Sequence, residues 1–227
     1  DDSVSPDLLR VLSDRFPWIE WGILFRSDLE GQPRYPTQDW VAKLSALCVT
    51  AGSDALSMKL AGHLCADRCQ QVLEGDFSFV QSLLGMGFRR VQVNATAANS
   101  VTVDPTCIAR YVANIKKCMS SVPQMEFIVQ CNEETQPIYE QLLAAPEANM
   151  SILYDASCGK GVLVSTFPSP MLYPTIPCGY AGGIGPGSIE TILTGVSNTV
   201  AACPDKTVWV DMESSLRTII LDGEERK

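Results

Sequence analysis

Side chains that can transfer a proton or orient a substrate recur directly after short apolar runs in this sequence. Carboxylates and an imidazole can act as general acids or bases, and amides can position a substrate by hydrogen bonding. Any one of these residues could simply begin a loop. Taken together, in a chain with a single histidine, they favour a site for acid–base chemistry. These residues are His63, Asn94, Asn132, Asp155, and Asp211 with Glu213.

A glycine-rich segment, residues 181–186 (AGGIGP), leads into a segment with helical spacing that begins near Ser188. Such a turn exposes backbone N–H groups, and the start of a helix favours a bound anion. The same pattern also suits a tight corner between a strand and a helix. We therefore hold two interpretations of Gly182, Gly183 and Gly185: a phosphate-binding turn or a structural corner.

Other reactive residues give weaker signals. Cys65 and Cys158 follow apolar runs, but the chain offers no second histidine to activate either thiol. Lys59 suits a Schiff base with a carbonyl substrate, although pairing with an acid is the simpler interpretation. The nine cysteines lack the spacing of a zinc site, so we predict no metal. Reduced, buried thiols predict a cytoplasmic protein.

The composition excludes several classes of function. Seventeen Lys and Arg against 26 Asp and Glu give a net charge of −9, which argues against nucleic-acid binding, since phosphate contacts need clustered positive charge. No apolar run approaches the ~20 residues needed to span a bilayer, so we expect no membrane association. The first ten residues are acidic and do not resemble a signal peptide.

Seven short runs rich in Val and Ile have the pattern of strands that are covered on both faces, as in a parallel sheet. Longer segments with helical spacing lie between them. Thr37 and Asp104 are predicted to cap two of these segments, and Gly52 and Gly87 to follow helix ends. The predicted strands are residues 18–25, 55–62, 91–94, 126–131, 151–155, 178–183 and 208–212, and the predicted helices are residues 6–16, 37–50, 68–85, 105–121, 135–145 and 188–202.

Strict alternation of strand and helix predicts one α/β domain over residues 1–227 with a parallel sheet. Seven strands leave two architectures open: an open doubly wound sheet, or a TIM (β/α)₈ barrel with one strand unaccounted for. The polar residues that end the strands favour the barrel, because barrel enzymes place their chemistry at that rim.

Five segments in order resemble the phosphoribosylanthranilate isomerase family of tryptophan biosynthesis. Residues 21–25 (WGILF) with 32–35 (QPRY) resemble its strand followed by an S-x-R-Y element, and residues 91–95 (VQVNA) resemble its V-Q-L-H-G strand. The remaining three are residues 154–161 (YDASCGKG), 181–186 (AGGIGP) and 210–215 (VDMESS). The resemblance covers residues 6–216, implies a (β/α)₈ barrel and implies that the first strand lies upstream of Asp1.

The resemblance also implies an activity, an Amadori rearrangement of an aminoaldose phosphate by a general acid and a general base, without a cofactor. Asp155 would be the acid, the base would lie on the upstream strand, and Arg34 would hold a carboxylate of the substrate. Asp211 would face the amine or hydroxyls of the sugar. His63, Asn94 and Glu213 join them as substrate-binding residues at the same rim, and Gly182, Gly183, Gly185 and Ser214 would bind the phosphate.

Three departures from the family pattern occur: Glu213 stands where the family has Ser, Ser215 replaces Gly, and Asn94 with Ala95 replaces His-Gly. Two functions therefore stay open. The first is a phosphosugar isomerase of this type, or a relative with a shifted phosphorylated substrate. The second is a non-catalytic barrel that binds a metabolite or a protein partner. Homodimerisation is also left open.

Overall fold

The computed structural model describes residues 1–49, 56–163, 166–201, 203, 206, 208–216, 219–221 and 224–226. Seven parallel strands alternate with α-helices at every crossover but one among the described residues, and a short antiparallel hairpin follows them. The strands are β1 (Glu20–Phe25), β2 (Lys59–Leu64), β3 (Arg90–Val93), β4 (Glu126–Cys131), β5 (Met150–Tyr154), β6 (Cys178–Tyr180), β7 (Val208–Val210), and in the hairpin β8 (Ile219–Leu221) and β9 (Glu224–Arg226). The α-helices are α1 (Pro6–Arg15), α2 (Gln38–Cys48), α3 (Ala66–Glu74), α4 (Ser78–Gly85), α5 (Ile108–Ser121), α6 (Gln136–Ala144) and α7 (Ile189–Val200).

The seven strands pair in chain order from β1 to β7, and every pair is parallel. This sequential order excludes the doubly wound alternative, in which the strand order reverses within the sheet. The sheet curls far enough for β3 to contact β7: the Arg90 guanidinium lies 4.1 Å from the centre of the Trp209 ring. The architecture is therefore an α/β half-barrel, compatible with a TIM-like fold.

The two faces of the sheet are buried against different partners. Outward side chains such as Leu60, Phe127 and Ile152 pack in the main core with the helices. Inward side chains form a smaller apolar cluster of Ile128, Leu153 and Ala181, with Trp209 packed against it. Because side chains alternate along a strand, both faces of these strands are covered, which explains their nearly continuous apolar sequence.

Local signals that the sequence predicts for helix ends are confirmed at two places. The Thr37 hydroxyl accepts a hydrogen bond from the Trp40 N–H at 3.2 Å at the start of α2. Asp104 accepts one from the Thr106 N–H at 2.8 Å in the 3₁₀ turn Pro105–Cys107, which precedes α5. The predicted Gly52 helix end lies outside the described residues.

Two predicted elements differ from the structure. The single helix over residues 68–85 is wrong: α3 and α4 are separate, because α3 ends at Gly75 with φ +90° and the chain turns there. The predicted strand at 55–62 is shifted toward the carboxyl end, so that His63 lies within β2 rather than after it. Helical and strand periods are easily confused in this short apolar stretch.

The crossover from β5 to β6 has no α-helix in its described part, which holds only the 3₁₀ turn Pro170–Leu172. Among the described residues, no helix combines the length and the apolar character needed to cross a membrane.

Candidate functional site

A narrow cleft with a cavity volume of about 50 Å³ lies at the carboxyl ends of the strands and opens to solvent. It collects residues from the loops that follow β5, β6 and β7 and from the inner face of β2 to β4. Most of the site residues that the sequence predicts line it: His63, Asn94, Asp155, Gly182, Gly183, Asp211 and Glu213.

His63 points into the half-barrel from β2 and is 7% exposed. A Cβ atom added at Gly22 of β1 would lie 2.7 Å from His63 Nε2, so the absence of a side chain at Gly22 makes room for the imidazole. Neither ring nitrogen makes a hydrogen bond to a described residue. The imidazole is therefore free to hydrogen-bond a ligand or to accept its proton.

Asp211 follows β7 and is held by its backbone, whose N–H donates to the Tyr180 carbonyl at 2.9 Å. Its half-buried carboxylate accepts no hydrogen bond from the described part of the chain. Burial raises the pKa of Asp211, and the negative charges of Glu213 and Asp155 raise it further, whereas His63 and Arg90 oppose that rise. A raised pKa favours the protonated carboxyl group, which is the form that a general acid needs.

Asp155 lies directly after β5, and its surroundings differ from those of Asp211. One carboxylate oxygen accepts from the Ser157 hydroxyl at 2.6 Å and the Ser157 N–H at 3.2 Å, and the other accepts from the Gly159 N–H at 2.8 Å. The side chain is 4% exposed. Asp155 thus caps its own turn as well as lining the cleft, so its orientation is set by the loop.

The glycine turn after β6 has two features that bear on anion binding. Gly182 and Gly183 have φ angles of +116° and +61°, and the N–H groups of Gly182, Gly183 and Ile184 donate to no acceptor among the described residues. Three consecutive N–H groups without a described acceptor, lying before α7, form a cradle suited to an anion.

Glycines of the same turn also bring neighbouring loops close together. A Cβ atom at Gly183 would lie 2.5 Å from the Leu163 nitrogen, and one at Gly185 would lie 2.2 Å from the Ser215 Cβ. Gly185 does not line the cleft, and the structural-corner interpretation accounts for it. Ser214 begins the 3₁₀ turn Ser214–Leu216 in the loop after β7.

Arg34 does not line the cleft but reaches its edge through an ion pair. Arg34 Nη2 donates to Glu213 Oε1, joining the loop after β1 to the loop after β7. The guanidinium also lies 5.7 Å from the centre of the Tyr35 ring. The side chains of Arg34 and Glu213 are 31% and 37% exposed. The carboxylate that the guanidinium holds is therefore one of this chain's own.

Asn132 is not part of the cleft. Its side-chain oxygen accepts hydrogen bonds from the Thr135 N–H at 3.0 Å and the Glu134 N–H at 3.1 Å. Both donors lie just before α6, so Asn132 orders that turn, which is the simpler of the interpretations that the sequence allows.

Two residues of the cleft, Gln92 and Gln130, were not predicted from the sequence. Gln92 Nε2 donates to Asn94 Oδ1 at 2.7 Å. Gln130 is 3% exposed, and its Oε1 atom has no hydrogen-bond partner. Each glutamine interrupts an otherwise apolar strand two residues before a polar strand end, and this alternation could have identified both as inward-facing.

The other reactive candidates lie elsewhere or are inert. Lys59 begins β2 and lines a cavity at the opposite end of the sheet, which separates it from the cleft. Burial raises the pKa of the Cys65 thiol to about 11, so Cys65 stays protonated at neutral pH. Cys158 is buried and does not line the cleft. In the described part of the chain, no group of three or more His, Cys, Asp or Glu side chains is arranged to hold a metal ion.

No protein-family model matches this chain, and no curated protein matches it in sequence.

Proposed function

We propose that this cleft binds a small phosphorylated sugar and isomerises it by proton transfer, as an aldose–ketose isomerase of the phosphoribosylanthranilate isomerase type or a relative with another phosphorylated substrate. We propose with it that the half-barrel belongs to a (β/α)₈ barrel. One observation carries the function: Asp211 has a raised pKa and accepts no side-chain hydrogen bond from the described residues, and it shares a cleft with N–H groups of the glycine turn that donate to no described acceptor.

The reaction requires one acid and one base across the substrate. The base removes the proton from C2 of the open-chain aldose, and the electrons of that C–H bond form a C1–C2 double bond. The π pair of the C1 carbonyl moves to its oxygen, which takes a proton from the acid. Return of a proton to C1 and loss of the O2 proton leave a ketone at C2, so the product is an isomer and no co-reactant is needed.

The side chains of the cleft suit these steps unequally. Asp211 is the better acid, because burial favours its protonated form. His63 can accept the C2 proton, since its imidazole has no other described partner. Asp155, whose oxygens are engaged by Ser157 and Gly159, orders the loop and orients the sugar hydroxyls. The resemblance would instead make Asp155 the acid, and the proposed experiment separates the two assignments.

The experiment measures turnover of ribose 5-phosphate and of phosphoribosylanthranilate generated in place. We expect Asp211→Asn to lower turnover of whichever substrate reacts by about 10²- to 10⁴-fold, the usual contribution of a general acid. Asp39→Asn, an exposed aspartate of α2, is the matched control and should keep full activity. Full activity of Asp211→Asn would overturn its role and return the acid to Asp155.

The second candidate function is a non-catalytic barrel that binds a metabolite. The observation in its favour is that both carboxylate oxygens of Asp155 already accept hydrogen bonds from its own loop, so Asp155 needs no ligand to complete its hydrogen bonds. It predicts saturable binding of a phosphorylated ligand without turnover, and unchanged binding in Asp211→Asn. Calorimetric titration beside the turnover assay distinguishes the two candidates.

A further inference from the structure

We propose that the cleft selects a ligand whose only anionic group is a phosphate and whose opposite end is a neutral or cationic hydrogen-bond donor. Glu213 excludes ligands that carry a second anion, because its carboxylate pairs with Arg34. This inference rests on the proposed function and deepens it. It differs from what the family resemblance implies, because a substrate carboxylate would have no free guanidinium to bind.

Arg34 is engaged by the protein itself. Its Nη2 atom donates to Glu213, and its Nε atom is buried without a partner among the described residues. The other arginine near the interior, Arg90, pairs with Glu20 at 2.7 Å and with Glu126 at 2.8 Å, and it stacks on Trp209. A carboxylate of the chain therefore already pairs with each guanidinium, and a ligand carboxylate would compete with it.

The charge of the cleft opposes a second anion as well. The described residues that line it include three acidic ones, Asp155, Asp211 and Glu213, and no lysine or arginine. Their mutual repulsion contributes to the raised pKa of Asp211, although burial is the larger cause. A further negative charge would be repelled, and such repulsion is one of the ways in which binding sites gain specificity.

The inner part of the cleft requires donors from its ligand. Gln130 is 97% buried, with an exposure of 3%, and its Oε1 atom has no partner among the described residues. The carbonyl oxygen of the Asp211 carboxyl group likewise accepts no hydrogen bond from the described residues. A hydroxyl or an ammonium group supplies the donor that each oxygen lacks, whereas a carboxylate does not. Polyols and amino sugars have this chemistry.

The groups suited to a phosphate are backbone N–H groups, not these acceptors. The N–H groups of Gly182, Gly183 and Ile184 donate to no acceptor among the described residues, and they precede α7, a 12-residue helix whose N-terminal end favours an anion. A ligand with a phosphate at this turn and hydroxyls toward Gln130 satisfies both ends of the cleft.

The test uses two ligands that differ at one carbon: ribitol 5-phosphate, with a C1 alcohol, and ribonate 5-phosphate, with a C1 carboxylate. We expect calorimetric titration of the whole chain to give tighter binding of ribitol 5-phosphate by about ten- to a hundredfold, the effect of one charged hydrogen bond. Glu213→Gln frees Arg34 and should remove this preference by strengthening ribonate binding, whereas Glu213→Asp should keep it.

Adding Arg34→Gln to Glu213→Gln should cancel the gain, and Glu140→Gln, an exposed glutamate of α6, should behave as the unsubstituted protein. Thermal unfolding of each variant verifies that it folds. Equal or tighter binding of ribonate 5-phosphate by the unsubstituted protein overturns the inference and leaves the proposed function standing. Failure of both ligands to bind the folded protein overturns both proposals. If ribitol 5-phosphate binds more tightly as expected but no aldose phosphate is turned over, only the proposed isomerisation is overturned.

Discussion

Asp155 and Asp211 both follow a strand and both face the cleft, yet their surroundings prepare them for different tasks. Asp155 accepts three hydrogen bonds from its own loop. Asp211 is shielded from solvent, lies near the carboxyl groups of Asp155 and Glu213, and accepts no side-chain hydrogen bond from a described residue. Carboxyl groups in contrasting environments commonly divide the acid and base roles of one site. The sequence identifies both residues, but their environments depend on neighbours that are distant in the chain.

The raised pKa of Asp211 predicts a pH-dependent stability cost. In the pH range between its unfolded pKa and its higher folded pKa, the folded state binds more protons than the unfolded state, so stability falls as pH rises through that range. Asp211→Asn removes the cost, and we expect the variant to be more stable than the parent protein above this range and to differ least from it at acid pH. Urea unfolding from pH 3 to pH 8 measures the difference, with Asp39→Asn as control. A parent protein that gains stability over Asp211→Asn with rising pH would contradict the prediction.

The sequence identifies some residues of the site and leaves others unrecognised. Polar residues at strand ends are visible because they interrupt apolar runs. Gln92 and Gln130 lie within strands and were missed, although their alternation with Asn94 and Asn132 carries the information. Asn132 also follows a strand, but it does not line the cleft and instead orders the turn before α6.

At the scale of the elements, the break between α3 and α4 is the clearest departure from the predicted secondary structure. Helical spacing continues across residues 68–85, so periodicity alone predicts one helix. Gly75 ends α3 in the left-handed region, and its N–H donates to the Val72 carbonyl at 3.2 Å. Gly75 indicates a helix end in the sequence, but the helical spacing of the apolar residues on both sides of it favours one continuous helix.

Gly75→Ala should destabilise the protein by about 1–2 kcal/mol, because alanine is strained at φ +90° and its Cβ would lie 3.2 Å from Asn114 Oδ1. Gly85→Ala is the matched control: nothing lies within 4 Å of the added Cβ, and the position is helical. We expect it to stabilise the protein by about 0.5–1 kcal/mol. Urea unfolding of both variants checks the pair, and equal effects of the two substitutions would refute this account of the break.

At the scale of the whole molecule, Arg90 connects strands that the sequence places far apart. From β3 it pairs with Glu20 on β1 and Glu126 on β4, and its guanidinium stacks on Trp209 of β7. The side chain is only 15% exposed. A central cation of this kind compensates two partly buried carboxylates and supports the curl of the sheet.

Arg90→Gln should therefore lower the free energy of unfolding by about 3 kcal/mol, because removing one partner leaves partly buried charges uncompensated. Arg110→Gln is the matched surface substitution, since Arg110 is 55% exposed and pairs with Glu74. It should cost less than about 1 kcal/mol. Chemical denaturation gives both values, and a loss at Arg90 no larger than that at Arg110 would show that the interior cation does not stabilise the half-barrel.

Local spacing and the preferences of single residues suffice to predict the parallel sheet, its helices at all crossovers but one, two helix caps and the polar strand ends. Which of those residues act on one another depends on the tertiary fold. Arg34 and Glu213 are 179 positions apart, Gly22 makes room for His63, and Arg90 reaches Trp209 across the interior. Such pairings arise when the sheet curls and brings distant loops together, and burial then sets the charge of the groups that meet.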